Sequence, residues 1–233
     1  MSRRNYYYIQ KNVDKFLNYG MTYFLDPLSL RNVLGKLKGF DYKIYKPFSE
    51  SERVIVYNSN EPDVALIEII SYEKLSHREI MGSIYNMNID EEVFGDIVIC
   101  GGHYYVFVIK KYLQIVMDNF NMVGYKKVKL KEVSLDVLKD YRRNYDRLEL
   151  IVSSYRIDNV ISRIIHKNRD CVKGILSKDN VFVNYEVCRN MSYVLKEGDV
   201  FSIRKYGKYK FNGVIKNTKK NNYIIECLKY TDD

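Results

Sequence analysis

The segment Arg156-Ile-Asp158-Asn-Val-Ile-Ser-Arg163-Ile-Ile-His-Lys167-Asn168-Arg169-Asp-Cys-Val-Lys173-Gly-Ile-Leu-Ser-Lys178-Asp-Asn-Val181-Phe-Val183-Asn184 constrains the fold more tightly than any other stretch of the chain. Val160, Ile161, Ile164 and Ile165 fall on one helical stripe, and Val172, Ile175 and Leu176 fall on another. Asp158 is placed to cap the first helix and Asn168 the second, because short side-chain acceptors satisfy the free N–H groups of a helix start. The polar faces then hold Arg156, Arg163, Lys167, Arg169 and Lys173, with Arg169 and Lys173 one turn apart on one face. Such a pair of short helices displays a cluster of cations.

Beyond Val181-Phe-Val183-Asn184, the turn formers Lys196-Glu-Gly198-Asp199 precede an alternating strand, Val200-Phe-Ser-Ile-Arg204. Arg204, Lys205, Lys208 and Lys210 follow, interleaved with tyrosines. Point charges of this kind suit backbone phosphates, and flat side chains suit unpaired bases. The charge of the whole chain agrees. Residues 151–233 carry 16 Lys and Arg against 9 Asp and Glu, so of a formal net charge of +9 only +2 belongs to residues 1–150. Concentrated positive charge favours a polyanion, although Lys and Arg are most often mere solvated surface. Arg204 to Lys210 also fits a strand end that resists edge pairing, and Asn184 fits either an RNA contact or a bond to neighbouring backbone.

The rest of the chain predicts two helices at 5–19 and 26–38, the first with Tyr8, Val13, Phe16 and Leu17 at helical spacing and the second opened by Asp26-Pro27. Strands follow near 42–45 and 54–57, and the turn formers Asn58-Ser-Asn-Glu-Pro62-Asp63 mark a boundary. From Val64 the order is strand, helix, strand, strand, helix, strand, with Ser76-His77-Arg78-Glu79 as a capping box and Gly101-Gly102 as a hairpin turn. That order is the split βαβ of ferredoxin-like domains, which RNA-recognition (RRM) domains share. His103, Tyr105 and Phe107 lie on one strand face, where they serve either as an aromatic platform or as packing against another domain. The charged stretch 134–150 reads as helical, ending in a short strand at 148–152.

Several classes are disfavoured. No apolar run approaches the ~18 to 20 residues of a spanning helix, and the N-terminal residues lack a signal-peptide pattern, so a cytoplasmic protein with no membrane partner is expected. The four cysteines form no C-x-x-C pair, and Cys100-Gly-Gly-His103 has no second half to complete a zinc site. Reduced thiols, no metal and no cofactor are expected.

Residues 156–204 resemble the uS4-type RNA-binding domain, or αL motif, through Arg156-Ile157-Asp158, Asn168-Arg169, Val181-Phe182-Val183-Asn184 and Gly198-Asp199. Two positions depart from it: Asn168 replaces the usual serine, and Asp179 stands where glycine is general, a site where Asp can still adopt the left-handed conformation. Phe24-Leu25-Asp26-Pro27, Leu75-Ser-His77-Arg78-Glu-Ile-Met-Gly82, Gly95-Asp96-Ile97, Ser153-Ser154-Tyr155-Arg156 and Ser202-Ile-Arg204-Lys-Tyr-Gly207-Lys208 extend the resemblance to YlmH-type bacterial RNA-binding proteins.

That resemblance implies an α+β, multi-domain chain: an N-terminal α/β domain at 1–62, an RRM-like domain at 63–150 and a uS4-type domain at 151–233. It implies a non-enzymatic, monomeric factor of ribosome-associated quality control, which binds rRNA and tRNA on the large ribosomal subunit alongside other quality-control factors. The implied RNA-binding residues are Arg156, Arg163, Lys167, Asn168, Arg169, Lys173, Lys178, Asn184, Arg204, Lys205, Lys208 and Lys210, with His77 and Arg78 as further contacts in the middle domain. Two other readings stand beside it. One is an RNA-modifying enzyme, since uS4-type domains are often appended to pseudouridine synthases and methyltransferases, but no G-x-G-x-x-G or comparable catalytic segment is found. The other is an interaction adaptor linked to cell division.

Overall fold

A computed structural model describes residues 3–219 and 221–231, and the chain divides into two compact units, one within residues 3–142 and one spanning 143–231. The architecture is mixed α and β with several separate sheets.

In the first unit, α1 (Arg3–Tyr19) and α2 (Pro27–Lys36) pack together, and the strands β1 (Lys43–Tyr45) and β2 (Ile55–Tyr57) pair antiparallel. The inward stripe of α1 is Ile9, Val13 and Phe16, closing on Val33, Leu37 and Val56; Leu17, expected there, is exposed. Helix α2 starts where Asp26 Oδ1 accepts from the N–H groups of Leu28 and Ser29, each at 2.9 Å, with Pro27 in the first turn where no N–H is missed.

The larger sheet is built from β3 (Val64–Ile70), β4 (Phe94–Cys100), β5 (His103–Ile109) and β8 (Lys129–Val133) in the order β4-β5-β3-β8, with every neighbour antiparallel. Helix α3 (His77–Tyr85) connects β3 to β4; α4 (Leu113–Asn119) and the small hairpin β6 (Met122–Val123) and β7 (Lys126–Lys127) connect β5 to β8. Interleaving two strand-helix-strand crossovers gives this order. The capping box of α3 is formed: Ser76 Oγ accepts from Glu79 N–H, and Glu79 Oε2 accepts from Ser76 N–H at 2.9 Å.

Strand β3 is buried on both faces rather than alternately, because the N-terminal elements cover one side of the sheet. Phe48 stacks on Phe107 with ring centroids 5.4 Å apart, and Phe24 crosses Gly95 so closely that a Cβ there would lie 2.9 Å from Phe24 Cζ and 2.8 Å from Phe107 Cβ. Asp96, the next residue, is buried and accepts from Ser51 Oγ at 2.7 Å and from the Glu52 and Arg53 N–H groups. Gly95-Asp96 is thus a docking point for the N-terminal elements. The core is continuous across the turn at 58–63.

Residues 134–150 are not helical. A short 3-10 turn at Leu135–Leu138 is followed by β9 (Tyr145–Val152), longer than the expected 148–152. The reason lies far along the chain. Strand β9 pairs over its whole length with β14 (Tyr223–Tyr230), from Tyr145↔Tyr230 to Val152↔Tyr223, and that pairing overrides a local charge pattern compatible with helix.

In the second unit β9 leads into α5 (Ile157–Ile165), α6 (Arg169–Ser177), β10 (Val181–Val183), β11 (Glu186–Val187), β12 (Val200–Ile203), β13 (Gly207–Asn217) and β14. The strands form one antiparallel sheet in the order β11-β10-β12-β13-β14-β9. Ile157, Val160, Ile161, Val172 and Leu176 of the helices share a core with Val181, Phe201, Ile203, Tyr209, Phe211, Ile225 and Cys227 of the sheet. All four cysteines are free thiols, and burial pushes that of Cys227 up to about 12.

Candidate nucleic-acid interface

Asp158 does not cap α5. Arg156 occupies the cap position without a side-chain bond, while Asp158 lies inside the first turn with its side chain only 2% exposed. Its carboxylate receives Arg156 Nε on Oδ1 at 3.2 Å and an Arg156 terminal nitrogen on Oδ2 at 3.0 Å, a two-pronged pairing that fixes the guanidinium plane. Arg169, in the first turn of α6, reaches the same Oδ2 at 3.6 Å. The starts of α5 and α6 therefore meet over one buried carboxylate. Two cations, their side chains 38% and 58% exposed, remain open to solvent.

Several local features hold this junction. Asn159 Nδ2 donates to Ser154 O at 2.9 Å and Ser153 Oγ at 3.0 Å, and Ile157 N–H donates to Tyr193 O at 2.8 Å. Asn168 caps α6 as expected, accepting from Cys171 N–H at 3.0 Å. His166 ends α5 in the left-handed region, at φ 52°. Arg163, Lys167, Asn168 and Lys173 are all exposed on these helices or the turn between them.

A second group gathers at the far end of α6. Lys178 is exposed at the helix end, and Asp179 takes φ 57°, so the turn survives the absence of glycine. Asp179 is paired with both prongs of Arg189 at 2.7 and 2.6 Å, which holds its carboxyl below the usual range. Arg204 N–H donates to Asn180 O at 2.8 Å, which sets the exposed Arg204 and Lys205 beside this turn.

Lys208 and Lys210 stand elsewhere. They alternate along β13 with Tyr209 and Phe211, which face the helices, so the two lysines occupy the opposite face of the sheet. Lys208 lies between two tyrosines, 4.9 Å from the Tyr185 ring and 4.5 Å from the Tyr230 ring, and donates to Tyr185 Oη at 3.0 Å. Of the interleaved tyrosines only Tyr206 is exposed; Tyr209 is in the core.

Asn184 is used inside the fold. It and Tyr185 both have positive φ, 49° and 69°, in the two-residue turn between β10 and β11. Its Oδ1 accepts from Val200 N–H at 3.0 Å and its Nδ2 donates to Asp199 at 2.8 Å. Asp199 also receives Tyr193 Oη and Lys196 N–H, and burial together with Asp199 pushes the Tyr193 hydroxyl up to about 12.

In the first unit, His77 and Arg78 lie in the first turn of α3, His77 half-buried and Arg78 exposed. Phe107 is fully buried beneath Phe48, while His103 remains exposed, stacked on Tyr105 and bonded through Nδ1 to Glu68 at 2.8 Å. The aromatic residues of β5 therefore serve packing at one end and a polar surface contact at the other.

Asp158 as a shared anchor and the tyrosine pair around Lys208 escaped the sequence reading. The Arg156-x-Asp158 spacing was the available signal for the first; nothing local joins Tyr185 to Tyr230.

Comparison with known proteins finds similarity over parts of the chain. Residues 59–137 match the family described as "Putative RNA-binding domain in YlmH". The "Ribosome-associated protein quality control protein P2" of Bacillus subtilis (strain 168) is 25% identical over 154 residues, 66% of this chain, and the match spans 60% of that relative's length. A solved structure, "Cell division protein ylmH from Streptococcus pneumoniae", is similar with a TM-score of 0.45 and 20% identity, covering 60% of this chain and 97% of that one.

Proposed function

We propose, starting from its kinship with YlmH-type RNA-binding proteins, that this chain is an RNA-binding factor without catalytic activity that acts on the large ribosomal subunit in the quality control of stalled translation. Its ligands there are rRNA and peptidyl-tRNA, and its setting is the cytoplasm. The β4-β5-β3-β8 sheet is read as an RRM-like domain, preceded by an N-terminal α/β domain, and the second unit as a uS4-type domain.

The observation that carries this reading is the Asp158 junction. A buried carboxylate holds two arginines from two helix starts in one place, where exposed arginine on its own would be free to wander. Planar guanidinium groups fixed in this way suit phosphate oxygens, and the nearby helix starts add their own positive ends. Arg163, Lys167 and Lys173 then broaden the basic face, with Lys178, Arg204 and Lys205 extending it.

The test is co-sedimentation with large subunits carrying peptidyl-tRNA. Arg156→Ala with Arg169→Ala should reduce association while leaving the thermal unfolding curve cooperative. Normal co-sedimentation of that variant overturns the assignment of the surface, and cross-linking that recovers no rRNA or tRNA above background overturns the function.

A further inference from the structure

A second basic site lies in the first unit and is built from cations not considered so far. Three lysine ammonium groups converge on one tyrosine ring: Lys15 Nζ stands 3.8 Å from the centroid of Tyr23, Lys111 Nζ 5.2 Å and Lys11 Nζ 5.7 Å. They come from α1 and from the 3-10 turn Lys110–Tyr112 that precedes α4, and the Tyr23 hydroxyl is fixed by a hydrogen bond to Tyr112 Oη. Attraction to the ring face offsets part of the mutual repulsion. Even so, Lys11 and Lys15 are like charges one turn apart on a helix, an arrangement that destabilises the helix.

Carboxylates answer only part of this charge. Lys11 pairs with Asp90 at 2.8 Å and Glu92 at 3.4 Å, and Asp14 accepts from Gln10 at 2.9 Å. Among the described residues, neither Lys15 nor Lys111 has a carboxylate within ion-pair distance. Beside them the outer surface of α1 itself forms a shallow, open hollow of about 240 Å³, lined by residues of that helix alone: Lys11 and Lys15 with Asp14 between them, and Tyr7 and Tyr19 among the others. Those two rings are 73% and 74% exposed, and they stand about 18 Å apart along the helix.

We propose that this face of α1, with Lys111, is a binding surface for single-stranded RNA. Lys15 and Lys111 take backbone phosphates, and Tyr7 and Tyr19 offer rings on which bases stack. The exposed rings at both ends of the cationic stretch favour RNA over an acidic peptide, which would need the charges alone. The inference rests on the reading that the chain binds RNA, but it uses different residues and a different unit.

The experiment measures binding of a labelled uridine oligonucleotide of about 12 nucleotides to the full chain. Lys15→Ala with Lys111→Ala, and separately Tyr7→Ala with Tyr19→Ala, are placed in the wild type and in the Arg156→Ala, Arg169→Ala background. Each pair should weaken binding about fivefold or more in both backgrounds, and the lysine pair should lower the log-log salt slope by about 1.4. The tyrosine variant decides if loss of Lys15 disturbs the fold, since its rings project into solvent. Unchanged affinity in both pairs overturns this site and leaves the Asp158 junction standing, whereas absence of oligonucleotide and ribosome binding in the wild type overturns both. Intact oligonucleotide affinity with loss of a ribonuclease-resistant protein partner also overturns it, and gives the face to a protein.

Discussion

Arg156 and Arg169 begin different helices and meet on the same oxygen, Asp158 Oδ2, at 3.0 and 3.6 Å. The basic face of the second unit is therefore organised from beneath, by an acid. Asp158→Asn raises the net charge, which on bulk electrostatics alone strengthens RNA binding. The junction predicts the reverse, a severalfold loss of affinity with about 1–3 kcal/mol of stability, because the guanidinium groups lose their fixed partner. Filter binding and urea unfolding of this variant check both, and a gain in affinity would falsify the anchoring role.

Coupling between the basic residues should follow the same geometry. In double-mutant cycles read by RNA affinity, Arg156→Ala and Arg169→Ala share a partner and should depart from additivity by more than about 0.5 kcal/mol. Arg169→Ala and Lys208→Ala act on opposite faces of the second unit and should add within that margin. Strong coupling in the second cycle is the outcome that removes the two-face description.

Gly95→Ala tests how the N-terminal elements are held. The added methyl meets Phe107 Cβ and Phe24 Cζ inside 3 Å, and overpacking of this kind costs about 1–3 kcal/mol. Thermal melting should show the loss, and shrinking the neighbour with Phe24→Leu in the same chain should recover part of it. Wild-type stability for Gly95→Ala alone contradicts the packing.

Acid should undo the Glu79 connection at a defined place on the pH axis. The bond from Lys126, then those from Ser76, hold the Glu79 carboxyl down at about 2, from 4.5. Its folded value is depressed, so its contribution to stability is complete above about 4.5 and disappears as the pH falls toward 2. A carbon NMR titration of Glu79 should give the low midpoint, and Lys126→Met should move it upward; an unmoved midpoint removes Lys126 as the main cause.

Local chemistry was the legible part of this chain. Asp26, Ser76 with Glu79 and Asn168 each cap a helix within three residues of themselves, and Gly101-Gly102 turns between strands that touch it. The cations of α5 and α6 were legible too, since helical spacing places them on a face. What distance hides was not. Strand β9 depends on a partner at the other end of the second unit, Asp158 changes from cap to anchor only when α6 folds back, and Lys15 meets Lys111 only through Tyr23. Asn184 was open between two roles because its partner, Asp199, lies beyond a loop.

The pairing of β9 with β14 sets a timetable. The second unit's sheet begins with the strand at 145–152 and waits for the strand at 223–230, so during synthesis its first strand emerges long before the partner that covers it. A ribosome halted in between would hold a nascent chain that already displays both arginine-bearing helices beside a bare strand edge, open to wrong pairing. The chain is thus exposed to the same kind of accident whose products we propose it handles.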